Sequence, residues 1–433
     1  MRGTDEDPTR WPPSWYAATA ADPPFAPPLE GDARCDVCIV GAGYTGIGAA
    51  LRLAEAGADV RLIDQARIGW GASGRNGGQA HVGQRRDPFW LERVLGAEDA
   101  LHLWRIALDA RADLDRLIAG HGIACDFTPG LLHVDHRRRD LTHSRATVEH
   151  LRNRYDYPHV DYVYGPALAG MIGARGYHGG MIDRRGGHLH PLNLAIGLAR
   201  AAMAAGARLH EGTRATALAR AAGGGWRVET PRGAISADRV ILAGNGYLHG
   251  LSRPAEARVM PINNYIAVTE PLGAGRARSL IRDNVAVSDS RFVVYYFRLT
   301  PDHRLLFGGG ETYGWRFPAD IRAFVRPHML RIFPQLADVA LDHGWGGTLA
   351  VTPNRLPLLR EVAPGLIAIG GYSGLGVVLA PYFGRLVAEA MLGGSPDFDR
   401  LARLPVPAFP GGRWLRWPIL AAAMSLAALR DRL

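Results

Sequence analysis

Residues 35–78 constrain the fold of this chain more than any other stretch. An apolar run at 37–40 predicts a buried parallel strand, and the motif G-A-G-Y-T-G, which matches G-x-G-x-x-G, follows it directly at 41–46. The apolar spacing after the motif predicts a helix, and the strand predicted next ends at Asp64. A strand, a glycine turn, a helix and an acidic residue in this order are typical of a βαβ unit that binds a dinucleotide.

Each glycine of this motif has a physical task. Gly41 permits the tight turn, Gly43 lets the backbone approach a pyrophosphate, and Gly46 lets the helix pack close to the strand. The N–H groups at the helix N-terminus attract the phosphates, and Asp64 can accept hydrogen bonds from a ribose. The predicted contacts of this unit are Gly41, Gly43, Tyr44, Thr45, Gly46, Asp64 and Gln65.

The overall composition places the chain among soluble proteins. It has 433 residues, enough for two domains, of which 47% are hydrophobic and 21% charged. The first ten residues are polar, so no secretory signal is predicted, and three cysteines do not make a disulfide framework. These features predict a cytoplasmic protein.

Two features that suggest other functions have simpler explanations. Cys35 and Cys38 form C-x-x-C, but residues three apart in a strand point to opposite faces, so we expect buried cysteines and no metal site. The net charge is +9, yet the chain has no lysine and its arginines are scattered apart from 137–139. This distribution does not favour a nucleic-acid partner.

The order of predicted elements indicates an α/β fold with two sheets. Strands and helices alternate around a second glycine turn at 244–246, as in a doubly wound parallel sheet, whereas the β-rich, aromatic block 261–308 predicts an antiparallel sheet. Residues 1–30, with seven prolines, predict either an extended arm over a domain or a disordered tail. The predicted organisation is an arm (1–30), a dinucleotide-binding domain in three pieces (31–85, 165–255 and 345–395), a substrate domain in two pieces (86–164 and 256–344) and a tail (396–433).

Several individual elements are predicted from periodicity. A helix is expected over 88–120, a turn-rich crossing over 177–191, and strands over 208–218 and 292–299. The apolar stretch 418–429 is too short to span a bilayer of ~30 Å. This leaves either a helix packed on the protein surface or a peripheral membrane contact through the C-terminal helix.

Two further glycine-rich segments have the character of cofactor loops. Residues 69–79 combine glycines with Ser, Arg, Asn and Gln, which suits a loop that follows a cofactor closely. A third glycine turn at 370–376 precedes a predicted helix over 377–392, and its N-terminus offers another positive dipole end.

These motifs together identify a family. The chain resembles the D-amino-acid-oxidase-type FAD-dependent oxidoreductases, and within them the gamma-glutamylputrescine oxidases. The segments that carry the resemblance include CDVCIVGAGYTG, ARIGWGASGRNGGQ, GGHLHPLNLAIG, ILAGNGYL, GYSGLGV and FPGGRWLRWP. They extend over nearly the whole chain.

The resemblance implies a Rossmann-like FAD-binding domain of the glutathione-reductase type, joined to an antiparallel substrate domain. It implies noncovalent FAD, since no cysteine lies near the expected methyl edge of the flavin. The helix N-terminus after the third glycine turn would stabilise negative charge near flavin N1. The further FAD contacts it implies are Gly71, Ala72, Ser73, Arg75, Asn76, Gly77, Gly78, Ala215, Gly244, Gly371, Ser373, Gly374, Leu375, Gly376 and Val377.

The implied substrate pocket is aromatic, with Tyr265, Tyr295 and Tyr296 among its walls. Tyr265 is also explained by an ordinary half-buried strand position. Tyr295 stands where the resembling enzymes have an acidic residue, and Leu375 stands where the family has a histidine. Both changes predict an apolar pocket that prefers a hydrophobic or secondary amine.

Two polar residues are candidates for direct work on the substrate. His81 follows the flavin loop and is the candidate catalytic residue, as a base or as a cation near flavin N5; a structural hydrogen-bonded histidine is the alternative. Arg298 is the candidate for binding a substrate carboxylate, with a structural ion pair as its alternative.

The activity that the resemblance implies is oxidation of an amine, with a place in polyamine catabolism. A hydride passes to FAD, the imine is hydrolysed to an aldehyde or keto product, and oxygen takes up the electrons to give hydrogen peroxide. The alternative is a dehydrogenase that passes electrons to a quinone or a carrier protein.

Overall fold

The computed structural model describes residues 7–248, 250–312 and 316–412, which form two β-sheets surrounded by helices. The strands are β1 (Ala33–Val40), β2 (Val60–Ile63), β3 (Gln79–Ala80), β4 (Thr128–Asp135), β5 (Val160–Tyr164), β6 (Gly179–His188), β7 (Arg208–His210), β8 (Ala217–Arg220), β9 (Trp226–Thr230), β10 (Gly233–Leu242), β11 (Met260–Thr269), β12 (Ala286–Asp289), β13 (Tyr296–Leu299), β14 (Leu305–Thr312), β15 (Leu341–Val351), β16 (Leu358–Ala363) and β17 (Leu366–Gly370). The helices are α1 (Trp15–Ala18), α2 (Tyr44–Glu55), α3 (Pro88–Leu95), α4 (Ala97–Gly120), α5 (Leu141–Arg154), α6 (Gly165–Met171), α7 (Pro191–Ala204), α8 (Arg253–Glu256), α9 (Gly273–Leu280), α10 (Ile321–Ile332), α11 (Gly376–Leu392) and α12 (Pro396–Ala402).

The first sheet is parallel in its middle. Its order is β16-β17-β10-β1-β2-β7, with β9 beside β10 and β8 beside β9. The five strands from β17 to β7 are parallel to one another, whereas β16, β9 and β8 pair antiparallel. Ile39 of β1 and Ile241 of β10 are completely buried, as expected for central strands covered on both faces. This sheet and its helices confirm the predicted α/β class.

The second sheet is antiparallel except at one point. Its order is β15-β11-β14-β13-β12-β4-β6-β3, with β5 beside β6, and its single parallel pair is β12 with β4. One face packs on α10 through an apolar cluster that includes Phe297, Phe307 and Met329. The opposite face forms the floor of a large cavity.

The two sheets do not follow the predicted domain boundaries everywhere. Strands β3 and β6 and residues 345–351 of β15 lie in the second sheet, although the ranges that contain them, 31–85, 165–255 and 345–395, are predicted to belong to the dinucleotide-binding part. Helix α4, expected in the substrate part, buries Leu103 and Ile106 in the same apolar cluster as Ile39 of β1. The apolar side chains of α4 therefore pack in the hydrophobic core of the first sheet.

Four element predictions differ from the structure. The strand expected over 292–299 is limited to β13, Tyr296–Leu299. The helix expected over 88–120 is broken into α3 and α4 at Gly96, whose φ of 89° is incompatible with a continuous helix. The expected crossing over 177–191 is instead the strand β6: its glycines permit close approach, since a Cβ at Gly180 would lie 2.3 Å from the carbonyl oxygen of His133. The single strand expected over 208–218 is observed as two strands of the first sheet: β7 lies beside β2, and β8 lies beside β9.

Residues 7–30 pack along the protein as an extended arm, the first of the two predicted alternatives. The ring of Tyr16 is fully buried, 5.1 Å from the ring of Trp345. Trp11 donates from Nε1 to the carbonyl oxygen of Ile68 at 2.9 Å. The arm thus contacts the loop after β2 and the second sheet at once.

At the other end, the predicted apolar helix lies in residues 413–433, outside the described part, so its membrane contact stays a prediction. Within the described residues no single helix has the length and apolar composition to cross a membrane. Helices α11 and α12 have this length and composition only when they are taken together, and the pair is bent by 111°.

Candidate active site

The first glycine turn brings β1 and α2 into very close contact. A Cβ at Gly46 would lie 1.9 Å from the carbonyl oxygen of Gly41, and Gly41 itself has a φ of 117° that favours glycine. The N-cap residue of α2, Gly43, has no side chain to cap the helix, the Tyr44 N–H donates to the Ser73 hydroxyl at 3.0 Å, and the first turn has no acidic residue. The N-terminus of α2 is therefore shaped and charged to receive an anion such as a pyrophosphate.

Asp64 lies beside this turn, at the end of β2. Its Oδ2 accepts a hydrogen bond from the backbone N–H of Ala42 at 2.7 Å, and Oδ1 accepts one from Ala66 at 2.9 Å. Burial raises its pKa to about 6, and the charge of Glu211 acts in the same direction. Each oxygen keeps a second lone pair, so the carboxylate can still accept a ribose hydroxyl.

The loop predicted to line the flavin is held by Arg75 and Trp345. The buried Arg75 donates from Nε to the carbonyl oxygen of Trp70 at 2.6 Å, and its guanidinium lies 4.1 Å from the centre of the Trp70 ring. It also donates to the carbonyl oxygen of Gly346 at 3.2 Å, while Trp345 donates from Nε1 to the carbonyl oxygen of Arg75 at 3.0 Å. Asn76 closes the loop by donating to Ala72 and Ser73. The loop shape is thus fixed by protein contacts.

Helices α2 and α11 cross at a distance that only glycine permits. A Cβ at Gly48 would lie 2.4 Å from the carbonyl oxygen of Pro381, and one at Gly384 would lie 2.1 Å from the carbonyl oxygen of Thr45. Helix α11, like α2, has no side-chain cap at its N-terminus. Residues at the N-termini of both helices, Tyr44 of α2 and Gly376 of α11, line the same cavity.

Two adjoining cavities lie in front of these N-termini, with volumes of about 170 and 710 Å³. Their shared walls include Ala72, Asn76, Ser373, Gly374 and Val377. The predicted FAD residues that line the smaller cavity are Gly41, Gly43, Tyr44, Thr45, Asp64, Gln65, Gly71, Ala72, Ser73, Asn76, Ala215, Gly244, Ser373, Gly374, Gly376 and Val377. The larger cavity adds Arg75, Gly77 and Leu375. This arrangement fits a dinucleotide whose flavin end reaches the larger cavity.

Three of the predicted FAD residues line neither cavity. Besides Gly46, these are Gly78, where a Cβ would lie 2.2 Å from the carbonyl oxygen of Leu189, and Gly371, where it would lie 2.6 Å from Cγ2 of Thr352. Their task in this structure is close packing of backbone behind the site. Trp70 and Tyr247, whose rings meet at 5.9 Å, line the smaller cavity without a motif that could have indicated them.

Tyr296 and His81 are the predicted substrate-side residues that do line the larger cavity. The Tyr296 hydroxyl donates to Oδ1 of Asn264 at 2.5 Å, and its ring packs so closely on Gly77 that a Cβ there would lie 2.6 Å from Cε2. His81 lies 3.2 Å from Oε1 of Gln79 through Nε2. Burial and the nearby charge of Arg85 lower the pKa of His81 to about 3, which favours the neutral ring over the predicted cation.

Tyr265 and Tyr295 lie on the other side of the second sheet. Both are buried in the cluster against α10, where Tyr295 hydrogen bonds to Nδ1 of His328 at 2.7 Å and the Tyr265 ring lies 5.1 Å from that of Phe324. Successive side chains of a strand alternate between faces, so Tyr296 at the cavity requires Tyr295 to face away. The expectation that Tyr265 and Tyr295 form pocket walls is wrong for this reason.

Arg298 lies on the cavity side of β13, but its guanidinium group is hydrogen bonded to other residues of the protein. It donates to the carbonyl oxygens of Gly77 at 2.9 Å and Leu189 at 3.1 Å, and to the Tyr16 hydroxyl at 3.1 Å. Only 2% of the residue is exposed. Arg298 therefore holds the flavin loop from behind, and the prediction that it binds a substrate carboxylate is wrong.

The larger cavity has charged side chains among its walls. Tyr295 has no carboxylate, but its backbone N–H donates at 2.9 Å to Oδ1 of Asp289, which also pairs with Arg291. The acidic residues of the walls on the side of the second sheet and α5 are Asp135, Asp140, Asp183 and Asp289. Asp289 is paired with Arg291, Asp183 accepts from the Tyr157 hydroxyl, and Arg85, Arg86 and Arg139 line the same cavity. The preference for a hydrophobic or secondary amine therefore stays a prediction.

Comparison with known proteins agrees with this geometry. Residues 36–390 match the model of the family described as FAD dependent oxidoreductase. The chain is 45% identical over 419 residues to a probable oxidoreductase OrdL of Rhizobium meliloti (strain 1021), with 97% of each chain covered. It is 39% identical over 426 residues to the gamma-glutamylputrescine oxidoreductase of Escherichia coli (strain K12), covering 97% of this chain and 98% of that one.

Among solved structures, the glycine oxidase of Geobacillus kaustophilus superposes with a TM-score of 0.71 at 22% identity, covering 84% of this chain and 96% of that one. At this identity the similarity concerns the fold alone. The predicted family is confirmed: the chain belongs to the FAD-dependent oxidoreductases, and its cofactor is FAD.

Proposed function

We propose that this protein oxidises the C–N bond of an amine and is similar in this to the gamma-glutamylputrescine oxidoreductase that it matches. The observation that carries the proposal is the larger cavity. It adjoins the dinucleotide cavity at Ser373, Gly374 and Val377, and its walls combine carboxylates with neutral imidazoles. Such a site gives an amine hydrogen-bonding partners beside the cavity that would hold the flavin.

FAD, when bound, supplies the hydride acceptor and the route by which both electrons reach dioxygen as hydrogen peroxide. The residues of the chain would position the amine against the flavin and set the charge and hydrogen bonding around both. The N-terminus of α11, which has no side-chain cap, would favour negative charge on a flavin edge bound against it. The Tyr296 ring and Gly77 form the wall at the flavin end, and His81 remains neutral there, so it can exchange a hydrogen bond with an uncharged amine. Water then hydrolyses the released imine to a carbonyl compound and ammonia or a smaller amine.

The test is reduction of the bound flavin without oxygen. The protein should be yellow, release FAD on denaturation, and lose its flavin absorbance anaerobically with a member of a panel of diamines, gamma-glutamylated amines and secondary amino acids. Admission of air should restore the absorbance with one hydrogen peroxide per turnover. Bleaching that recovers with a quinone and not with air would instead assign the dehydrogenase alternative, and no bleaching with any amine would overturn the proposal.

A further inference from the structure

A third cavity, with a volume of about 770 Å³, lies at the edge of the second sheet and is called the edge cavity below. Its walls come from the start of α5, from β5 and α6, and from the segment that leads into β6. Among the described residues, none that lines it also lines a cavity of the active site. Tyr177 of the edge cavity donates at 3.1 Å to Oδ2 of Asp289, which lines the larger cavity, so this pair is part of the partition between the two.

The charged side chains of the edge cavity are basic. Arg138, just before α5, and Arg145, in that helix, line it together with His178, and no Asp or Glu of the described residues does. Both arginines are exposed, and in the part of the chain that the structure describes neither guanidinium forms an ion pair. A guanidinium without a carboxylate partner keeps its donors for a ligand, and it binds phosphate and carboxylate groups best because they can accept two parallel hydrogen bonds.

Two stacked tyrosine rings lie beside these arginines. The ring centres of Tyr162 and Tyr164, alternate residues of β5, are 5.6 Å apart, and their planes are inclined by 29°. The Arg145 guanidinium lies 5.2 Å from the centre of the Tyr162 ring and 6.0 Å from that of Tyr164, where stacking holds it in place. Tyr164 is nevertheless 58% exposed. An exposed aromatic ring next to a fixed guanidinium is suited to a planar ligand with negative charge.

The opposite wall of the edge cavity leaves room for more than a simple ion. It is formed mainly by small and apolar residues of α6 and the turn after it: Gly165, Leu168, Ala169, Ile172, Gly173 and Ala174. The volume of about 770 Å³ lies within the range of small-molecule sites, which is about 300–1,000 Å³. A ligand that uses both walls therefore has an apolar or planar body as well as an anionic group.

We propose that the edge cavity binds an aromatic anion: a planar ring lies on Tyr164, and its phosphate or carboxylate group is bound by Arg145 and Arg138. A mononucleotide and an aromatic carboxylic acid share this chemistry. The inference does not depend on the proposed amine oxidation, because the edge cavity lies outside the active site and its occupancy can be measured without turnover.

The experiment is isothermal titration calorimetry on the FAD-loaded protein, in which the dinucleotide site is already occupied. AMP and indole-3-acetate represent the two ligand types; adenosine and indole lack the anionic group, and phosphate and acetate lack the ring. AMP or indole-3-acetate should bind with a Kd below about 1 mM, and at least about tenfold more tightly than its two fragments. The tighter of the two distinguishes a nucleotide from an aromatic acid. If neither binds, or if a fragment binds as tightly as the whole ligand, the inference is wrong.

Two variants then locate the bound ligand. Arg145→Gln removes the stacked charge and should raise the Kd about tenfold or more, and Tyr164→Ala removes the exposed ring and should raise it about fivefold or more. Their matched controls are Arg93→Gln in α3 and Phe25→Ala in the N-terminal arm, which remove an exposed guanidinium and an exposed ring outside the edge cavity. Both controls should bind the ligand as the wild type does. Binding that survives in Arg145→Gln, or that the controls weaken equally, contradicts the assignment to this cavity.

Discussion

Asp64 is the residue whose ionisation should control FAD binding. Its pKa of about 6 lies above the ordinary value of 3.8, so in the FAD-free protein its stabilising contribution is complete below about pH 4 and is lost as the pH rises through about 6. If its ribose donates a hydrogen bond to Asp64, FAD binds better to the ionised carboxylate than to the protonated carboxyl group. The reason is that an ionised carboxylate accepts hydrogen bonds at both oxygens and donates none. The affinity for FAD should therefore fall about tenfold between pH 7.5 and pH 5.

Quenching of FAD fluorescence on binding measures this dependence. Asp64→Asn should weaken binding at pH 7.5 by about ten- to a hundredfold, which corresponds to a hydrogen bond of about 1.5–3 kcal/mol to a charged group. The variant should also bind FAD with the same affinity at both pH values. A wild-type affinity that does not change with pH would show that the ribose is bound elsewhere.

His81 should act without changing its charge. Burial and Arg85 lower its pKa to about 3, so it does not titrate over the range in which enzymes of this kind are assayed. His81→Gln should therefore lower kcat/KM through the lost imidazole and leave the shape of the pH profile between pH 6 and 9 unchanged. An inflection present in wild type near pH 6.5 and absent in the variant would contradict this prediction.

At the scale of elements, the tight crossing of α2 and α11 should tolerate no added methyl group. Gly48→Ala would place a Cβ 2.4 Å from the carbonyl oxygen of Pro381, in backbone that cannot rotate away. We expect a loss of at least about 2–3 kcal/mol in the free energy of unfolding and weaker retention of FAD, because both helix N-termini are displaced.

Gly120→Ala is the matched control, since a Cβ at Gly120 meets no atom within 4 Å at the end of α4. It should be neutral or stabilising by up to about 1 kcal/mol. Urea denaturation and FAD fluorescence after gel filtration measure both variants. Equal stability of the two would mean that the helices can separate without affecting the site.

The same elements show where prediction from sequence succeeds and where it does not. The βαβ unit and the glycine turns could be predicted because each is a local pattern, and the helix that needs Gly46 adjoins the strand it contacts. Which side chains of β13 face the cavity could not be predicted from sequence. Tyr295 and Tyr296 are both aromatic, and only the pairing with β12 and β14 decides which of them lines the cavity. Asp135 is brought to the cavity by a parallel pairing with β12, about 150 residues later, which leaves no trace in either strand alone.

For the whole molecule, the N-terminal arm is the connection between the two sheets and the flavin loop. Tyr16 is completely buried, packs on Trp345, and accepts a hydrogen bond from Arg298, which in turn donates to Gly77. Tyr16→Ala should cost about 3–5 kcal/mol of stability and loosen FAD, since both supports of the loop lose a neighbour. Tyr16→Phe should keep most of the stability and lose only the hydrogen bond, about 1 kcal/mol.

Phe25→Ala serves as the control within the arm, because this side chain is 83% exposed and should be neutral. Thermal unfolding followed by flavin fluorescence measures all three variants. If Tyr16→Ala and Phe25→Ala retain FAD equally, the arm covers the loop without supporting it.

The arm also fixes the order in which the protein can be completed during synthesis. Tyr16 leaves the ribosome among the first residues, but Arg298, its hydrogen-bond partner, is 282 residues further along the chain, and Trp345 follows later still. Until both have emerged, the buried face of the arm has no partner and the loop around Arg75 and Gly77 lacks its supports. A nascent chain therefore lacks both supports of the loop that lines the FAD cavities until residue 345 has been synthesised, so we expect firm cofactor retention only after that point.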